Sequence, residues 1–79
     1  MKHNMEGDVR NRLEAEFTCA EEITVDVDGN RVSIRVIADV FEGLSRVERQ
    51  KKVYRCIGDL IESGALHAVT IQAHPPRGR

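Results

Sequence analysis

The chain has 79 residues, 41% of them hydrophobic and 32% charged, with a net charge of −1. That profile fits one small globular domain over residues 1–79 and excludes both a disordered chain and a global field that would draw the protein to DNA or a membrane. Phe17, Phe41 and Tyr54 are its only aromatic residues, too few for the stacking surface of a single-strand nucleic-acid binder.

The opening stretch MKHNMEGDVR lacks the apolar run of a signal peptide, and no segment approaches the length of a membrane span. Cys19 and Cys56 have neither CxxC spacing nor a metal-like partner nearby. These features lead us to expect a monomeric cytoplasmic protein with reduced thiols. Charge is unevenly spread: acids crowd the first half, and Arg46, Arg49, Lys51, Lys52 and Arg55 form one basic run.

In chain order, Val9, Leu13 and Phe17 recur every four residues, a narrow apolar stripe that predicts a helix over roughly residues 5–17. Glu6 and Asp8 fall near its N-terminus, where the macrodipole favours anions. Ile23, Val25 and Val27, then Val32, Ile34, Val36 and Ala38, alternate with polar residues at strand period. Asp28-Gly29-Asn30 between them is turn chemistry, so the two runs predict a hairpin.

Phe41 is expected to plug the core, and Gly43 to permit a tight turn before a helix. Ser45 and Glu48 have the spacing of a capping box. The helical stretch runs to about Ser63, with Val53, Ile57, Leu60 and Ile61 inward and an interior weakness at Gly58 that suggests a split. Gly64 is the expected stop. The last strand is read as Leu66 to Ala73, with His67 in phase with Val69 and Ile71. Pro75 and Pro76 end it, and residues 1–4 and 76–79 are expected to be frayed tails. A helix joining the last two strands makes them parallel, giving an α+β sandwich: a three-stranded mixed sheet with helices on one face.

From Asp28 onward the sequence resembles the BolA family, and its YrbA/IbaG branch in particular. The residues that carry this are Phe41-Glu42-Gly43-Leu44-Ser45-Arg46-Val47, then Gln50, Val53 and Tyr54, then Leu66-His67-Ala68-Val69-Thr70-Ile71. Together they match an F-x-G-x-S loop, a basic helix and a terminal H-A-hydrophobic-x-I strand, over roughly residues 23–75. The resemblance implies an αββααβ, type II KH-like fold. It implies a non-enzymatic partner of a CGFS-type monothiol glutaredoxin, sharing a [2Fe–2S] cluster with that protein and glutathione. It also implies His67 as a cluster ligand. Many relatives supply a second Cys or His from the first hairpin loop, but here that loop reads Asp28-Gly29-Asn30-Arg31 and contains neither.

Imidazole can replace thiolate on one iron of such a cluster; the bland alternative for His67 is a strand histidine satisfied by a nearby carbonyl. Cys19 and His74 are weaker ligand candidates. Cys56 is read as a small buried hydrophobe, and His3 as solvated. Arg46, Arg49, Lys52 and Arg55 are either a solvated helix face or a surface for a partner or DNA. The GxxG loop of KH domains is missing, since Gly58 and Gly64 are separated by five residues. That disfavours KH-like nucleic-acid binding, but the basic face keeps a DNA-binding regulator as the alternative function, with a thiol reductase working through Cys19 a third. No Ser/His/Asp or Cys/His spacing suggests catalysis.

Overall fold

The hairpin forms where the alternation places it. In the computed structural model, which describes residues 5–76, β1 (Glu22–Asp28) pairs antiparallel with β2 (Arg31–Ile37), with Ile23 opposite Val36, Val25 opposite Ile34 and Val27 opposite Val32. Gly29 takes φ 63° at the first central position of the turn, and Asn30 stays out of the positive-φ region. This is the pattern of a type II′ turn, whose twist matches the strands it joins. β3 (Ala68–His74) then pairs parallel with β2, placing Val69, Ile71 and Ala73 beside Val32, Ile34 and Val36. The strand order is β1-β2-β3, so β2 is central and β1 and β3 are edges.

The helices cover the apolar face of this sheet. α1 (Met5–Glu16) buries Val9 and Leu13. Phe17 follows it, still tied by its N–H to the Leu13 carbonyl at 2.8 Å, and its ring meets that of Phe41 at 5.4 Å. Phe41, on a single 3-10 turn, is fully buried, and Gly43 after it turns at φ 77°. α2 (Arg46–Tyr54) starts with the capping box: Ser45 Oγ accepts from the Glu48 N–H at 3.2 Å, and the Glu48 carboxylate accepts from the Ser45 N–H at 3.0 Å.

The predicted split is present, but Gly58 opens α3 (Gly58–Glu62) rather than weakening a helix interior. The break lies just ahead of it. Cys56 and Ile57 donate to carbonyls three residues back, and Ile57 leaves the helical region at φ −125°, ψ 9°. Val53 and Ile57, on either side of it, are both fully buried.

Two boundaries differ from the sequence reading. Leu66 is buried like a strand residue, but its N–H turns back to the Leu60 carbonyl at the end of α3, so the ladder begins at Ala68. Pro76, expected in a frayed tail, is buried; with Pro75 it lies beside Arg35, Ile37 and His74. His3 and the remaining tail positions, 1–4 and 77–79, fall outside the described residues. No helix among the described residues is long and apolar enough to cross a membrane.

Candidate functional site

His67 lies one residue ahead of β3, held by its backbone. Its N–H donates to the carbonyl of Asn30 in the hairpin turn at 2.8 Å, and the Ala68 N–H reaches the same carbonyl at 3.4 Å. The buried Leu66 anchors the chain immediately before it. The His67 side chain is exposed and has no hydrogen-bond partner among the described residues. Gly64 ends α3 at φ 86°, and a Cβ added there would lie 4.0 Å from His67 Nε2. The backbone is therefore fixed while the imidazole is open to an incoming group. An exposed neutral imidazole nitrogen has the chemistry of a metal ligand, and a proton on such a nitrogen competes with a metal.

Cys19 and His74 are not brought to His67. His74 closes β3 opposite Ile37, so the strand separates it from His67 by roughly 20 Å. Cys19 is exposed on the connection into β1, whose Glu21 N–H donates to the Ile37 carbonyl at 2.7 Å. Both therefore sit at the end of the sheet away from the hairpin turn, and neither can share one cluster with His67 within a single chain. Among the described residues, no group of three or more His, Cys, Asp and Glu side chains is placed to hold a metal ion. Cys56 is half-buried against the core; burial raises its thiol above the ordinary cysteine value, with Glu16 adding to the effect. That supports the packing role expected for it.

The basic run divides. Arg46, Arg55 and Lys51 line an open groove of ≈ 880 Å³ between α2 and β3, and Arg46 and Arg49 line its continuation toward His74. Lys52 lies on the other side of α2, beside Cys19 and Asp39. Of the face expected from Arg46, Arg49, Lys52 and Arg55, the groove and its continuation take Arg46, Arg49 and Arg55, whereas Lys52 faces elsewhere and Lys51 lines the groove. Adjacent residues on a helix point about 100° apart, so a run of bases does not say which of two neighbours faces a given groove.

The family described as BolA-like protein matches residues 10–77. The chain belongs to the BolA-like family. The acid stress protein IbaG of Escherichia coli strain K12 is 34% identical over 56 residues, covering 71% of this chain and 67% of that protein. An uncharacterized protein of Buchnera aphidicola subsp. Schizaphis graminum is 41% identical over 54 residues, covering 68% of each. Among solved structures, BolA1 from Arabidopsis thaliana superposes with a TM-score of 0.84 at 22% identity over 99% of both chains. The BolA domain of SufE1 from the same plant superposes with a TM-score of 0.81 at 27% identity over 96% of both.

Within this BolA-like fold, the sequence reading assigned no site role to the two exposed apolar side chains that α2 gives the groove. Val47 is 61% exposed and Tyr54 43% exposed, and both line the groove. The signal was available: they stand seven positions apart, two helical turns, and therefore on one face of α2.

Proposed function

We propose that this BolA-like protein pairs with a CGFS-type monothiol glutaredoxin in a reducing cytoplasm and jointly holds a [2Fe–2S] cluster, for transfer or for sensing iron supply. The observation that carries the reading is the exposed imidazole of His67, without a hydrogen-bond partner among the described residues, beside a turn with no thiolate or imidazole of its own. The donor chemistry fits one ligand per chain. Among the described residues His67 would supply one position of such a cluster; the glutaredoxin cysteine and glutathione would ligate one iron, His67 would contribute to the other, and a fourth ligand would come from outside these residues. Histidine in place of thiolate raises the potential of such a centre.

The chain's own contribution is positional. The Asn30 carbonyl fixes the His67 backbone, Leu66 anchors the segment, and Gly64 turns the chain out of α3 at φ 86°. The test is to mix the protein with a cluster-loaded monothiol glutaredoxin and record visible absorbance and circular dichroism, with His67→Ala in parallel. Wild type should change both spectra, and the change should be lost or altered in the variant while its far-ultraviolet spectrum stays native. An unaltered cluster spectrum for the variant removes His67 from the ligand set, and no change with either protein removes the cluster reading itself.

A further inference from the structure

We propose that the groove between α2 and the free edge of β3 docks an extended, acidic segment of a partner protein, which joins the sheet as a fourth strand. This goes beyond the cluster reading and does not rest on it; His67 does not line the groove.

The backbone supplies the first argument. The His74 carbonyl accepts from the Ala38 N–H, and the Ala68 N–H donates to the Asn30 carbonyl. Strand groups alternate in direction, so the even-numbered residues of β3 spend their backbone groups on β2. The N–H and C=O groups of Val69, Ile71 and Ala73 then point to the other edge, where no described strand pairs with them. Such an edge is a template for another strand. Main-chain bonds give strand addition its affinity, and alternate side chains its selectivity.

The groove supplies the second argument. It runs along the edge strand from Tyr54 and Arg55 to His74. Val47 and Tyr54, both exposed, and Ile71 give it apolar contacts for the side chains of a docked strand. Its charged lining is Arg46, Arg49, Lys51 and Arg55, with no Asp or Glu. This charge selects the occupant. A second copy docking edge to edge would bring the two sets of four cations together, an arrangement that costs both partners. An acidic strand matches it. A nucleic acid would also meet the charge, but it would find one aromatic ring for stacking and no GxxG loop, whereas the edge amides and carbonyls complement a polypeptide.

The experiment uses the full chain without cluster. The probe is a fluorescein-labelled, end-capped peptide of seven residues, the length of β3, alternating valine with aspartate. Binding is read by anisotropy and by amide shifts in 15N–1H spectra. The peptide should bind, with shifts concentrated at Val69, Ile71, Ala73 and Tyr54, and added salt should weaken it. The double variant Arg46→Glu, Arg55→Glu, checked for native circular dichroism, should lose at least about tenfold in affinity. N-methylation of alternate peptide amides, which leaves charge and side chains in place, should abolish binding. The proposal is overturned by no binding of the acidic peptide, by equal binding of its N-methylated form, or by equal binding of a lysine-for-aspartate counterpart. Binding of a single-stranded oligonucleotide alone would assign the groove to nucleic acid instead.

Discussion

Arg12 gathers three parts of the chain at one guanidinium. Its Nη1 donates to the Asp59 carboxylate at 2.6 Å and to the Cys56 carbonyl at 3.2 Å, and its Nε to Asp8 at 3.2 Å. α1 is thereby tied to the break between α2 and α3. The hydrogen bond from Arg12 holds the Asp59 carboxyl below its ordinary value, while the same contact, with that to Asp8, raises the guanidinium. A carboxyl depressed in the folded state stabilises that state above its unfolded pKa, about 3.9 for aspartate; the contribution is lost as pH falls through the lower folded value. Asp59→Asn should therefore lower the thermal midpoint at neutral pH, and the gap to wild type should close in acid below the carboxylate range. Melting curves across pH check this, and a gap independent of pH would show that the ion pair is not its source. Asp59 is exposed, so the gap should be small. This tie was illegible in the sequence: Arg12 and Asp59 are separated by most of the chain, and nothing local marks them as partners.

At the scale of elements, legibility followed how local the determinants were. The hairpin needs only period-two alternation and a Gly-Asn turn, both written consecutively, and it formed where they place it. The capping box is equally local. Replacing Ser45 by Ala removes the acceptor for the Glu48 N–H and should cost about 1 kcal/mol in urea denaturation; a loss near zero would mean that water replaces the cap. The start of β3 was misplaced because Leu66 carries the hydrophobicity of a strand residue, while its N–H is taken by the Leu60 carbonyl, a tertiary fact. The division of Lys51 from Lys52 escaped for a related reason: helix rotation is set by which side Val53 and Ile57 bury, and the apolar pair that marks the groove, Val47 and Tyr54, is exposed rather than buried.

Across the whole molecule, the resemblance carried what periodicity could not. The parallel pairing of β2 with β3 came instead from the helical crossover, and the observed ladder bears it out. The candidate site was legible at His67 because a motif marks it. The isolation of His67 from Cys19 and His74 was not, because it depends on which end of the sheet each connection returns to. The molecule is thus polarised along β3, with His67 and the hairpin turn at one end, Cys19 and His74 at the other, and the basic groove along its edge.

The outward-facing groups of β3 also set how this strand should trade its amide protons with solvent. β2 is clasped on both sides, and its amides should exchange only with opening of the core. β3 is clasped on one side, so its protection should flicker residue by residue: Thr70 and Gln72 slow, Val69, Ile71 and Ala73 fast. Residue-resolved deuterium uptake would display that two-beat pattern, and uniform protection along β3 would show that its outer edge is already covered in solution.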